Sequence, residues 1–218
     1  LWRHVRHEDR GIRQARVKNL GVRHASSDLL VFVDHDVVPH PRFIEDHLSM
    51  GNPGWFSQGK RAFLPKGLTE QVLRAGRLSA SPGPMTPGLE NRKNALRAPR
   101  LGRALSRPRR FQTSLRGCNL SMTRKNFLRV DGYDEVFDAA WGREDSDICY
   151  RLFHNGVRCR NLWFMALQYH LDHPVGKNRE PDVLDEELEK VRKERRTRAV
   201  KGFSHLSSEG GVVQGSAV

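Results

Sequence analysis

Residues 141–147 read Trp-Gly-Arg-Glu-Asp-Ser-Asp. Three carboxylates, those of Glu144, Asp145 and Asp147, stand within four positions of a 218-residue chain whose formal net charge is +13. They open the helix predicted for 144–156, and the positive end of a helix macrodipole favours acids in its first turn. Capping of that kind accounts for one or two of them. A carboxylate kept ionised at a helix N-terminus can also accept a proton from a sugar hydroxyl as that hydroxyl attacks. Trp141 adds a flat apolar face that suits a pyranose ring.

Two further groups carry chemistry. Asp34-His35-Asp36 follows the apolar run Leu-Leu-Val-Phe-Val at 29–33. Carboxylates at i and i+2 in a tight turn can converge on one hard cation, Mg2+ or Mn2+, whose shell is completed by phosphate oxygens. The competing reading is an Asx-type turn ahead of the next helix. The third group is His170-Leu171-Asp172-His173. In an extended segment i and i+3 point to different faces, so both rings need not reach one metal. Either is an ordinary polar surface residue or a neutral imidazole ligand beside a carboxylate. Phosphate-loop, zincin and nucleophile-elbow motifs are missing, as is zinc-type Cys/His spacing.

The elements that must position these residues follow from patterning. Residues 13–25 read as a helix, 29–33 as a buried strand of a parallel sheet, and 39–50 as a short helix entered through prolines. Helix, strand, acidic turn, helix is an α/β pattern. Ligands of such sheets bind beyond the carboxyl ends of strands, where Asp34 and Asp36 fall. Residues 51–65 read as a loop and a strand, 111–123 as a strand, 124–130 as a helix, and 157–174 as one or two strands ending at the histidines. The expected organisation is one domain over 1–180 with a basic loop at 81–110, a charged helix at 181–200, and a disordered tail at 201–218.

Composition bounds the rest. Apolar residues make up 37% of the chain, enough for one domain with a core. The run at 29–33 is far too short to span a bilayer, and no signal peptide is visible. No acid occurs from Asn91 to Val130, so this segment reads as a solvated mobile loop or as a basic lid or membrane-facing surface. The positive charge implies an anionic partner: nucleic acid, lipid headgroups or a phosphate-bearing substrate. Cys118, Cys149 and Cys159 form no Cys-x-x-Cys pair and read as free thiols of a reducing compartment. The expected location is the cytoplasm, with peripheral contact at the inner face of the plasma membrane allowed by the charge.

Residues 13–41, 117–156 and 169–174, taken in order, resemble the family 2 glycosyltransferases of the GT-A fold. Within them the likeness is greatest to the group sharing the C-terminal region of galactosyltransferases and chondroitin-type synthases. The succession is an acidic pair at a strand end, Asn-x-Ser at 119–121, Gly-Tyr-Asp-Glu at 132–135, Trp-Gly-x-Glu-Asp-x-Asp at 141–147, then a histidine. The resemblance implies a GT-A mixed sheet flanked by helices and a metal-dependent, inverting transfer of a hexosyl sugar from a nucleotide-diphosphate donor. The acceptor would be a cell-surface glycan or glycolipid. It implies that Asp34 contacts the nucleotide, that Asp36 binds Mn2+ or Mg2+, and that His173, or else His170, is a further ligand. It makes Asp145 the base and has Glu144 hold the acceptor. Trp141 and Gly142 would shape the sugar pocket, and Arg16 would lie near the nucleotide.

Two departures qualify it. The family's first apolar strand has no counterpart in this sequence, which reads as an excerpt or a truncated frame, so a non-catalytic remnant of the fold is the alternative. Arg143 stands where the galactosyltransferase relatives have glycine. A basic nucleic-acid binder is the third reading. No recognition helix or aromatic platform supports it, so no nucleic-acid partner is expected.

Overall fold

The computed structural model describes residues 2–8, 10–113, 115–174, 181–206 and 212–216. In chain order the elements are β1 (Trp2–Arg6), α1 (Gln14–His24), β2 (Leu29–Val33), β3 (Val37–Pro39), α2 (Phe43–Leu48), β4 (Trp55–Gln58), β5 (Arg61–Phe63) and α3 (Lys66–Ala75). They continue with α4 (Pro99–Leu105), β6 (Asn119–Thr123), α5 (Arg124–Arg129), α6 (Glu144–His154), β7 (Arg158–Asn161), β8 (Gln168–His170), α7 (Pro181–Lys193) and β9 (Val212–Ser216). The α/β class holds: mixed sheets carry helices between their strands. The chain divides into two compact units. One comprises Leu1–Leu30, Thr123–Val157 and Lys177–Val218, the other Val31–Met122 and Arg158–Gly176.

The first unit is built on α1, α5, α6 and α7. No side chain at its own N-cap serves α1. The Asp138 carboxylate does so instead, accepting the N–H groups of Ala15 and Arg16 at 2.8 and 3.1 Å. Asn19, fully buried, donates to the Tyr133 carbonyl at 2.8 Å and accepts the Tyr133 N–H at 2.9 Å. That exchange ties α1 to the Gly-Tyr-Asp-Glu turn. Along α6 the apolar positions Ile148, Leu152 and Phe153 face inward, as their i, i+4, i+5 spacing requires.

The C-terminal segment differs from the disordered tail expected over 201–218. Asp134 accepts the N–H groups of Val200 and Lys201 at 2.7 and 3.0 Å. Phe203 meets Phe127 edge to face, centroids 5.6 Å apart. Strand β9 pairs antiparallel with β1, Trp2 opposite Ser216. Residues 207–211 and 217–218 lie outside the described residues. Local composition reads as disorder here because the partners of these groups lie far away in sequence.

The second unit holds a four-stranded sheet of order β2-β6-β4-β7 and a three-stranded sheet of order β3-β8-β5. Strand β4 runs antiparallel to β6 and parallel to β7, and β8 runs antiparallel to β3 and parallel to β5. The sheet is therefore mixed where the apolar run at 29–33 suggested a parallel one. Within β2 only Leu30 is fully buried, because β2 stands at the end of the strand order. Two core clusters fill the unit, one around Ala62, Leu64, Val72 and Tyr169, the other around Phe43, Met50, Leu162 and Met165. The segment 81–110 is not wholly loop: it contains α4. The strand expected over 111–123 forms only at Asn119–Thr123. The three cysteines are free and buried. No helix among the described residues is long and apolar enough to cross a membrane.

Candidate active site

In the second unit Asp36 ends the turn between β2 and β3. The register Val37 opposite His170 fixes what it meets. Pairing continues one step past β3, where the Leu171 N–H donates to the Asp36 carbonyl at 2.9 Å. His170 and His173 thus arrive at one carboxylate oxygen: each Nε2 lies 3.1 Å from Asp36 Oδ2. Their rings are 5.0 Å apart between centroids. Sequence spacing alone left open whether both rings could serve one ion, and the chain turns after β8 so that both do reach one point.

The protons of this cluster can be counted. His170 Nδ1 lies 2.7 Å from the Leu171 carbonyl and His173 Nδ1 3.0 Å from the Pro174 carbonyl. A carbonyl only accepts, so each Nδ1 carries a hydrogen and each Nε2 is left turned toward the carboxylate. Two lone pairs facing a carboxylate oxygen repel unless a proton or a cation lies among them. Asp36 Oδ1 is buried and has no hydrogen-bond partner. Burial pushes the Asp36 carboxyl up, but His170, His173 and His35 outweigh it and hold it below the usual range. The His173 imidazole is raised by its bond to the Pro174 carbonyl and by Asp36. An orphaned carboxylate oxygen beside two imidazoles oriented through their other nitrogen is a donor set that fits a divalent ion. Asp34, half-exposed, lies 3.8 Å from Arg61 Nη1. The Arg61 guanidinium stacks over Phe63, which in turn meets the His170 ring at 5.0 Å.

The same unit holds a buried network centred on His47, whose role sequence reasoning missed. His47, fully buried, is bonded to Ser121 Oγ through Nδ1 and to Asn119 Oδ1 through Nε2, both at 2.9 Å. Asn119 donates onward to the carbonyls of Ala166 and Lys60 at 2.9 and 3.2 Å. Burial pulls the His47 imidazole down to about 4. A Cβ at Gly59 would lie 2.3 Å from the Asn119 side chain, so only glycine allows that approach. The Asn-x-Ser motif therefore fastens β6 to α2 and to the backbone at Lys60 and Ala166. An asparagine and a serine two apart on one strand face was the only local sign.

In the first unit the acids of 144–147 part company. Asp147 is fully buried and holds Arg151 one helical turn on, both carboxylate oxygens lying 3.0 Å from Nε. Arg151 also donates to the Gly132 carbonyl at 2.8 Å. Asp147 is thus a structural ion pair. Glu144 and Asp145 instead share Lys18, whose Nζ lies 3.0 and 2.7 Å from their carboxylates and 4.7 Å above the Tyr133 ring. Burial works against the Lys18 charge, yet the two carboxylates more than offset it and raise the ammonium above its ordinary value. Burial and the neighbouring Asp145 push the Glu144 carboxyl up, against Lys18. Lys18 is a second member of this site that the sequence did not reveal.

Trp141 is 54% exposed, a free ring face at the mouth of the helix. Gly142 has φ +101 and Arg143 φ +73. A non-glycine residue at such φ costs on the order of 1 kcal/mol, a cost that Arg143 bears here. Arg143 is anchored there by Asp185 of α7. The Arg16 guanidinium, expected near a nucleotide, lies 3.4 Å from Glu135. Asp34, Asp36, His170 and His173 belong to one unit. Arg16, Trp141, Gly142, Glu144 and Asp145 belong to the other.

The family model for the N-terminal domain of galactosyltransferase matches residues 97–174. The chain is 26% identical over 201 residues to a chondroitin synthase of Escherichia coli, covering 83% of this chain and 28% of that protein. It is 27% identical over 199 residues to a hyaluronan synthase of Pasteurella multocida, covering 83% of this chain and 20% of that protein. The chain thus spans less than a third of the length of these curated relatives. Among solved structures it is similar to a GalNAc-T crystallised with UDP, GalNAc and Mn2+. The TM-score is 0.52 and the identity 12%, over 85% of this chain and 36% of that one. The fold is the GT-A fold, and the homologues of this chain are glycosyltransferases.

Proposed function

We propose that this chain carries out metal-dependent, inverting transfer of a hexosyl sugar from a nucleotide-diphosphate donor to a glycan or lipid-linked glycan. The observation that supports the reading most is the Asp36–His170–His173 cluster, whose three ligand atoms lie within 4.8 Å of one another. Those residues would hold the ion, and two imidazoles beside one carboxylate favour Mn2+ over Mg2+. Bound there, the ion would neutralise charge growing on the leaving diphosphate. Asp34, with Arg61 beside it, is the group assigned to the nucleotide's ribose.

The chain's own residues would do the rest. Trp141 offers its exposed face to a sugar ring, and Glu144 orients the acceptor hydroxyl. Asp145 takes the proton of that hydroxyl as its oxygen bonds the anomeric carbon. The bond from the anomeric carbon to the diphosphate oxygen breaks, and its electron pair leaves with the nucleoside diphosphate. One in-line displacement of this kind inverts the anomeric centre. Lys18, bonded to both carboxylates, would hold the acid pair in place between turnovers. The location proposed for this activity is the cytoplasm, with peripheral contact at the inner face of the plasma membrane allowed by the positive charge.

The test is release of nucleoside diphosphate from a panel of nucleotide sugars, with and without Mn2+. The expected result is metal-dependent release from one donor, lost in Asp36→Ala, with Asp145→Asn binding donor but failing to transfer. Full transfer by Asp145→Asn would remove the base assignment. Absence of release from every donor would favour a non-catalytic form of the fold.

A further inference from the structure

The stretch from Arg100 to Phe111, within the run without acids from Asn91 to Val130, holds none of the residues assigned to the transfer. Its centre is α4, which packs in an unusual sense. Gly102 faces inward: a Cβ there would lie 2.2 Å from the Trp163 carbonyl oxygen and 3.3 Å from Met165 Sδ. Four residues on, buried Ser106 accepts the Trp163 N–H through Oγ at 3.3 Å. Four residues back, the Ala98 N–H donates to the Phe164 carbonyl at 2.9 Å. Ala98, Gly102 and Ser106 therefore form the inner side of the helix, as an i, i+4 row does.

With small residues spent on the inside, the large apolar ones are turned out. Leu101 and Leu105 are 48% and 51% exposed, and Phe111 just beyond is 50% exposed. An ordinary surface helix does the reverse. Arg100, Arg103 and Arg107 are exposed among them. The following chain is held in place by reciprocal bonds between Arg109 and Cys159, at 2.6 and 2.8 Å. The segment from Arg100 to Phe111 is thus cationic and apolar at once, and its chain is tied to the fold at Ala98 and Arg109.

We propose that this surface docks on an anionic lipid bilayer. The arginines would meet the lipid phosphates, while Leu101, Leu105 and Phe111 enter the boundary between headgroups and acyl chains. Charge complementarity selects an anionic partner. Leucines turned outward by the packing of α4 select a bilayer over a nucleic-acid backbone, which gains nothing from them. The proposal stands apart from the transfer chemistry and survives its failure.

Sedimentation of the full chain with vesicles tests it. The expected result is binding to phosphatidylcholine vesicles containing about a third phosphatidylglycerol, and none to phosphatidylcholine alone. Leu101→Ser/Leu105→Ser should lower the partition coefficient about tenfold or more. Arg100→Ser/Arg103→Ser should lower it about fivefold per arginine. These side chains are exposed, so circular dichroism and melting should match the parent and separate docking from folding. Undiminished binding by the double leucine variant would overturn the proposal, reducing the effect to net charge. So would failure of the parent to bind the anionic vesicles, or leucine-independent binding to duplex DNA in their place.

Discussion

Replacing Asp147 by asparagine separates the structural acid of the 144–147 cluster from the chemical ones. Asp147 and Arg151 both have side chains wholly withdrawn from solvent. The substitution keeps one acceptor for Arg151 Nε but removes the negative charge. The guanidinium is left with the Val130 and Gly132 carbonyls as partners. Breaking a buried pair from one side costs about 3–5 kcal/mol, and those two carbonyls favour the lower end. Against a total stability of about 5–15 kcal/mol, this is a large share. With a urea dependence of roughly 2–3 kcal/mol per molar, the midpoint should fall by about 1 M or more.

Asp145→Asn offers the contrast. Its side chain is 23% exposed and Lys18 keeps Glu144 as a partner, so its cost should stay below about 1 kcal/mol. Urea unfolding of both variants, followed by fluorescence and circular dichroism, is the assay. An Asp147→Asn protein as stable as the parent but inactive would refute the division of roles. A stable, active Asp147→Leu/Arg151→Met double variant would support it, since a well-packed apolar pair can replace a buried ion pair.

Three further outcomes are expected. Because His47 titrates near 4 when folded and near 6.5 when unfolded, it leaves stability unchanged above pH 6.5. Below that the unfolded chain takes up the proton first, and stability falls by about 3 kcal/mol between pH 6.5 and 4. Urea midpoints across that window should show the fall, and His47→Gln should flatten it. Mn2+ at roughly a hundredfold over its dissociation constant should raise the melting temperature by about 5–10 °C, and Asp36→Asn or His170→Gln should abolish the rise. An unchanged increment would place any metal elsewhere. Lys18→Met leaves Glu144 and Asp145 adjacent without their shared cation. The Glu144 carboxyl, already pushed up by burial, should rise further and carry the acid limb of kcat/KM to higher pH. An unmoved limb would show that Lys18 does not govern the charge of the pair.

The sequence by itself determined the pieces whose causes are local. The run at 29–33 forms a strand within its quoted bounds and ends where Asp34 begins. The helix expected from residue 144 starts there, with three acids in its first turn. The helix over 13–25 is found at Gln14–His24. Periodicity, β-branching and the macrodipole act over a few residues, so spacing is enough to read them. The order of motifs also carried the resemblance to GT-A glycosyltransferases.

Tertiary structure alone decided which like residues do unlike things. Three acids within four positions are equivalent by spacing, yet Asp147 is withdrawn onto Arg151 while Glu144 and Asp145 are turned to Lys18. Asp36 and the histidines are more than 130 residues apart and meet only because β3 pairs with β8 in one register. Asn-x-Ser at 119–121 is legible as a motif, but its partner His47 is not, because the two meet only across more than 70 residues of chain. The outward leucines of α4 follow from a single close approach at Gly102. A side chain's role depends on its desolvation and on the partners that desolvation demands. Both are properties of the packed chain, and no local pattern encodes them.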